Sequence, residues 1–183
     1  MKKNECSEIP MCGYPRLVIF RGEWSDKIYL YNQRPSIALV DLKHWEGALV
    51  ITEYGQCFKI KRFKKIKKIT PWYLRGWFEY TYVEAEEELL YCQFLSFDNL
   101  YPILWEAIRH ATNVMLSLNL KNELIPYTSV CPEERLLCGY EAKISPGMKR
   151  CLEKQLENRI PLRTFFETIA LRTIKADQAS AFI

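Results

Sequence analysis

Long apolar runs are missing from this chain. No 18-residue apolar stretch occurs, so no transmembrane helix is predicted and no membrane insertion is expected. The first residues, MKKNECSEIPMCGY, lack the apolar centre of a signal peptide, and a cytoplasmic location is the expectation. Histidine is scarce: His44 and His110 are the only two, which leaves little for imidazole metal ligation or Cys–His catalysis. Glycine is sparse as well, with 7 Gly and 9 Pro in 183 residues, and there is no linker-like tract and no internal repeat. Gly-rich phosphate loops, G-x-S-x-G and H-E-x-x-H are all absent. The seven cysteines are odd in number and spaced C-x5-C (6, 12) and C-x6-C (131, 138), unlike common zinc sites. They read as reduced structural thiols, and no cofactor is expected.

What the chain does have is one concentrated basic element. Net charge is only +4, yet Lys59, Lys61, Arg62, Lys64, Lys65, Lys67, Lys68 and Arg75 make residues 59–75 +8 with no acid, leaving −4 for the rest. An apolar fraction of 49% argues that this element sits on a folded body.

The first half predicts about seven short strands: RLVIFRGEW (16–24), DKIYLY (26–31), SIALVDL (36–42), ALVITEY (48–54), QCFKIKRF (56–63), WFEYTYV (77–83) and ELLYCQFL (88–95). In DKIYLY, Ile28 and Leu30 take one face and Tyr29 and Tyr31 the other. Gly55 marks a hairpin corner, and EAEE reads as a solvated turn between the last two strands. Connections this short imply an antiparallel meander. The period then changes. From Asp98, taken as N-cap, Leu100, Ile103, Leu104, Ala107, Ile108, Ala111, Met115 and Leu118 recur at helical spacing. Shorter helices are predicted over 132–138, over 145–159 with Ser145 as N-cap and Pro146 at N1, and over 161–174. The fold class is therefore α+β. Residues 1–118 form the meander and the long helix, and 119–183 a helical appendage packed on it, in one domain or two. In element order this resembles the pleckstrin-homology-like superfold, where a helix closes one end of a curved sheet. That resemblance fixes no function.

A second resemblance is local. DKIYLYNQRPSIALVDLKHWEG (26–47) heads one strand with Asp26 and ends the next with Asp41-Leu42-Lys43, and so resembles the hairpin of PD-(D/E)xK nucleases. The resemblance implies a divalent metal on Asp26 and Asp41, with Lys43 on the same strand face positioning the attacking water. No helix precedes the hairpin here, as one does in that family.

The basic stretch FKIKRFKKIKKITPWYLRGW (58–77) raises a puzzle. Ile60, Phe63, Ile66 and Ile69 recur every third residue, which suits neither a plain strand nor a narrow helical stripe. A strand that overruns its sheet is the expected shape. Its cations would track phosphates, and Trp72 and Tyr73 would stack on bases or anchor a protein partner. Two bland readings compete. The strand pairs with the acid-rich 79–88, or its lysines protect a sheet edge. On the long helix, Trp105 and Arg109 form a candidate protein-binding pair, unless the C-terminal helices cover that side. The functional expectation is a non-enzymatic binding protein that engages nucleic acid or a nucleoprotein complex, as a small antagonist or inhibitor. The alternatives are the metal-dependent nuclease and an immunity-type protein that blocks a toxin or enzyme.

Overall fold

The computed structural model describes residues 14–32, 36–68, 82–94, 96–119 and 137–180. Among these, eight strands form one sheet in the order β3-β6-β5-β4-β1-β2-β7-β8. They are β1 (Arg16–Ile19), β2 (Lys27–Tyr31), β3 (Ser36–Ala38), β4 (Leu49–Thr52), β5 (Gln56–Lys68), β6 (Tyr82–Phe94), β7 (Asn113–Asn119) and β8 (Leu137–Lys143). Four α-helices accompany them: α1 (Leu42–Trp45), α2 (Phe97–His110), α3 (Pro146–Glu157) and α4 (Leu162–Ser180). Every strand pair is antiparallel except β2 with β7. The fold is α+β, with a mostly antiparallel sheet followed by helices.

Strand alternation sorts the apolar side chains into two cores. Leu17, Ile28, Leu30, Ile51, Val114 and Leu116 face the helices. There they meet Leu104 and Ile108 of α2, Leu152 and Leu156 of α3, and Phe165, Phe166 and Ile169 of α4. Val18, Phe20, Tyr29, Tyr31, Val50, Phe58 and Ile60 face the other way and pack with Ile37, Trp45 and Val83. Tyr29 and Tyr31 thus lie opposite Ile28 and Leu30, as the alternation predicts. Trp45 is central to this second core, 5.2 Å from the Phe20 ring and 5.1 Å from the Tyr29 ring, both edge-on.

Several local expectations hold. Gly55, at φ +81°, turns the chain between β4 and β5, and its N–H donates to the Thr52 carbonyl at 3.0 Å. The Ser145 hydroxyl caps α3 by accepting from the Met148 N–H at 3.1 Å. Others are corrected. Residues 39–45 are not the end of a strand but a 3₁₀ turn (Leu39–Asp41) and α1. The three-residue step from Leu42 to Trp45 buries both side chains, which one face of a strand could not do. EAEE is not a turn, because residues 82–94 run as the single strand β6. The long helix has Ser96, not Asp98, at its N-cap and stops at His110, well short of Leu118. Beyond it Val114 and Leu116 alternate in period two, and β2 supplies parallel backbone partners that outweigh continued helix. Of the helix predicted over 132–138, Leu137 and Cys138 belong instead to β8, opposite Asn119 and Leu118, and 132–136 lie outside the described residues. Two strands therefore join the sheet after α2, which departs from the pleckstrin-homology-like element order.

Candidate nucleic-acid interface

The basic stretch forms most of β5, and its partner along the whole length is the acid-rich β6. Pairing is antiparallel, with Ile60 opposite Leu89, Arg62 opposite Glu88, Lys64 opposite Glu86 and Lys67 opposite Glu84. The register shifts between Ile60 and Arg62, and again between Lys64 and Lys67. At each of these two shifts β5 carries one residue more than β6, which is a β-bulge, whereas at a third shift, between Cys57 and Phe58, the extra residue is on β6. These bulges explain the threefold spacing from Ile60 through Phe63 to Ile66; Ile69 lies outside the described residues. A strand returns to the same face every second residue, and one inserted residue makes the interval three. Ile60 is buried and Phe63 packs on the same core, so Lys61 and Arg62 both lie outward between them. A plain strand shows one outward residue about every 6.8 Å, whereas two per three residues gives roughly one per 5 Å. The bulge between Ile60 and Arg62 raises the density of outward cations while Ile60 and Phe63 stay on the core.

Glu88 gathers those cations. Its Oε2 accepts from Arg62 Nε at 2.5 Å and lies 3.3 Å from Lys64 Nζ, and its Oε1 accepts from Lys61 Nζ at 3.2 Å. The Arg62 and Lys61 hydrogen bonds hold the Glu88 carboxyl down from 4.5 to about 2. The side chains of Lys61, Arg62 and Lys64 are 49%, 61% and 49% exposed and overlie a glutamate that is only 19% exposed. Solvent therefore meets cations first. Lys59 is exposed on the same strand.

The next residue points the other way. Glu87 is opposite Phe63 and faces the inner core. It bonds Arg16 Nη1 at 2.6 Å and accepts from the Tyr31 hydroxyl at 2.7 Å. β5 and β4 lie between β6 and β1 in the sheet, so this contact requires the sheet to curl over its own inner face. Burial acts against the Arg16 charge, but Tyr31, Glu87 and Tyr14 outweigh it and raise the guanidinium pKa. Burial, then the Glu87 carboxylate, push the Tyr31 hydroxyl well above its ordinary 10. The sequence reading missed Arg16, Tyr31, Glu87 and Glu88 as a set. Once 82–94 is one strand, alternation separates Glu87 from Glu86 and Glu88.

Lys65, Lys67 and Lys68 belong to β5, and their side chains lie outside the described ones. Trp72, Tyr73 and Arg75 lie outside the described residues. No family model matches this chain, and no curated protein and no solved structure matches it either. What the chain can do is therefore read from its own geometry.

That geometry does not build the nuclease hairpin. Asp41 ends the 3₁₀ turn and Lys43 is in α1, where two residues are about 200° apart and not on one face. Asp26 is held by Thr112, whose hydroxyl donates to its Oδ2 at 2.9 Å and whose N–H donates to its carbonyl at 2.7 Å. It pins the start of β7 beside β2. Among the described residues, no group of three or more His, Cys, Asp or Glu is placed to hold a metal ion. The Trp105–Arg109 pair is also altered. Trp105 is half-buried against the helical core and stacks on Tyr101 at 5.6 Å. Arg109 is exposed, and Lys149 of α3 donates to its backbone carbonyl. A groove of about 570 Å³ between α2 and the β1 and β4 strands has an apolar floor of Ile19, Leu49, Pro102 and Ile103. Its rim carries His110 paired with Glu106 at 2.7 Å. Arg21 and Ser25 also line it. Among the described residues, no helix is long and apolar enough to cross a membrane.

Proposed function

We propose that this is a non-enzymatic binding protein whose β5–β6 ribbon engages nucleic acid, free or within a nucleoprotein complex. One observation carries the reading: bulges turn both Lys61 and Arg62 outward, on the face where Lys64 joins them around Glu88. Over 59–68 and 83–90, the cations Lys59, Lys61, Arg62, Lys64, Lys65, Lys67 and Lys68 oppose Glu84, Glu86, Glu87 and Glu88, and Glu87 is turned inward to Arg16. A linear row of cations suits a linear polyanion. Each phosphate it neutralises releases counterions, so affinity should be strongly salt-dependent and indifferent to sequence. A two-stranded ribbon also fits the major groove of a duplex. The pairing with β6 moderates the charge without cancelling it, because exposed ion pairs contribute only about 0–1 kcal/mol each.

The test is binding to labelled single- and double-stranded DNA and RNA across a salt series. The companion is a variant with Lys61, Lys64, Lys65 and Lys68 changed to Ala. The expected result is an affinity that falls steeply with salt and a slope that shrinks by about 0.9 for each lost phosphate contact. Absence of binding at low salt, or a variant that binds as well as the parent, rejects the reading.

A further inference from the structure

We propose that Lys61, Arg62 and Lys64 form a phosphate-binding position on the ribbon, and that Glu88 is its internal counter-ion, holding the three cations together and lowering their affinity for a phosphodiester. The inference rests on the nucleic-acid reading above and names the point of contact within it. The three donor groups come from the bulge itself (Lys61 and Arg62) and from the strand just after it (Lys64), and converge on the two oxygens of one carboxylate, at 3.2, 2.5 and 3.3 Å. Carboxylate and phosphate oxygens take the same charge-assisted bonds from Lys and Arg. The arrangement is already shaped around an anion. Each cation also keeps donors in reserve, since an ammonium has three N–H groups and a guanidinium five. The cations are 49%, 61% and 49% exposed, whereas Glu88, beneath them, is 19% exposed. An incoming phosphate therefore reaches the donors without passing the carboxylate, but it feels that charge from a few ångström away.

Two roles of Glu88 act in opposite directions. As an acceptor it orders three long side chains, which favours binding. As an anion it repels phosphate. Glu88→Gln removes the charge and keeps one acceptor oxygen, enough for Arg62 and Lys64 as they share Oε2, while the amide nitrogen in place of Oε1 no longer accepts from Lys61. We measure binding of a short fluorescein-labelled DNA duplex, and of its single strand, by anisotropy between about 50 and 200 mM salt. Thermal unfolding of each variant runs alongside. Glu88→Gln should bind about fivefold tighter at the low-salt end, as expected for one unit charge nearby in water. The variant Lys61→Ala/Arg62→Ala/Lys64→Ala should bind weaker, with a shallower salt slope. Parent binding that is unchanged or weakened by Glu88→Gln overturns the internal counter-ion and leaves the nucleic-acid reading standing. Binding unaffected by the triple variant overturns the phosphate position. No binding by the parent at the low-salt end overturns both readings. A measurement on the unmodified chain stands apart from any variant's folding. Titration with tripolyphosphate should shift the Arg62 Nε–H resonance in NMR spectra, and an unmoved resonance counts against the site.

Discussion

Glu87 and Glu88 are adjacent and identical, and the fold gives them opposite tasks. Glu87 goes inward, with a side chain only 7% exposed, to Arg16 and Tyr31. Glu88 goes outward to three surface cations. Alternation along a strand is enough to explain the difference, and it is legible once 82–94 is taken as one strand. The partner is not legible, because Arg16 lies 71 residues away and meets Glu87 only after the sheet curls. The physical weight of the two sites differs as well. A surface cluster adds little to stability, whereas breaking a buried pair leaves an uncompensated charge. Arg16→Met should cost about 3–5 kcal/mol in urea unfolding. Arg16→Met/Glu87→Met should recover most of that loss, since a buried pair replaced by apolar side chains is often near neutral. With Glu87→Met as the third arm, a double-variant loss equal to the sum of the two single losses would show that the two residues are not energetically linked.

At the scale of elements, the ribbon owes its charge to inserted residues. The sequence shows a repeat of one apolar and two basic residues from Ile60 onwards. That repeat defeats a helix-or-strand choice, because a bulge is defined by the count on the partner strand and not by β5 alone. The same limit hid β7: Met115 and Leu118 also fit the helical spacing, and only pairing with β2 decides between them. A pair of deletions tests the bulge. Removing Lys61 takes out the extra residue and leaves Ile60, Arg62 and Phe63 alternating, so Phe63 stays 6.3 Å from the Trp45 ring and the chain folds with a urea midpoint close to the parent's. Removing Lys59 takes out a paired residue where no bulge occurs, and forces Phe58 or Ile60 to face water. That should cost about 1.5–3 kcal/mol or more for the displaced side chain. Similar losses from both deletions would contradict the bulged register.

For the whole molecule, the question is whether the C-terminal helices are an appendage to the sheet or half of its core. The composition and the helical periods of 145–159 and 161–174 were readable, as was the face of α4 that carries Leu162, Phe165, Phe166 and Ile169, all buried. What those faces cover could not be read, because a helical stripe shows that a partner exists and not which one. The packing answers that. One core joins Leu17 of β1, Leu30 of β2 and Val114 of β7 to Leu152 of α3 and Phe166 of α4. A chain ending at Lys143 keeps every strand and α2 but uncovers the part of that sheet face under α3 and α4. An uncovered apolar sheet has no alternative partner, so cohesion should fail over the whole sheet and not only at its edge. The expected product retains far-UV circular dichroism, loses the near-UV signal, binds ANS and shows no cooperative thermal transition. A sharp transition and a dispersed NMR spectrum from the shortened chain would instead make α3 and α4 a dispensable appendage. The ribbon would then be carried by β1–β8 and α2 alone.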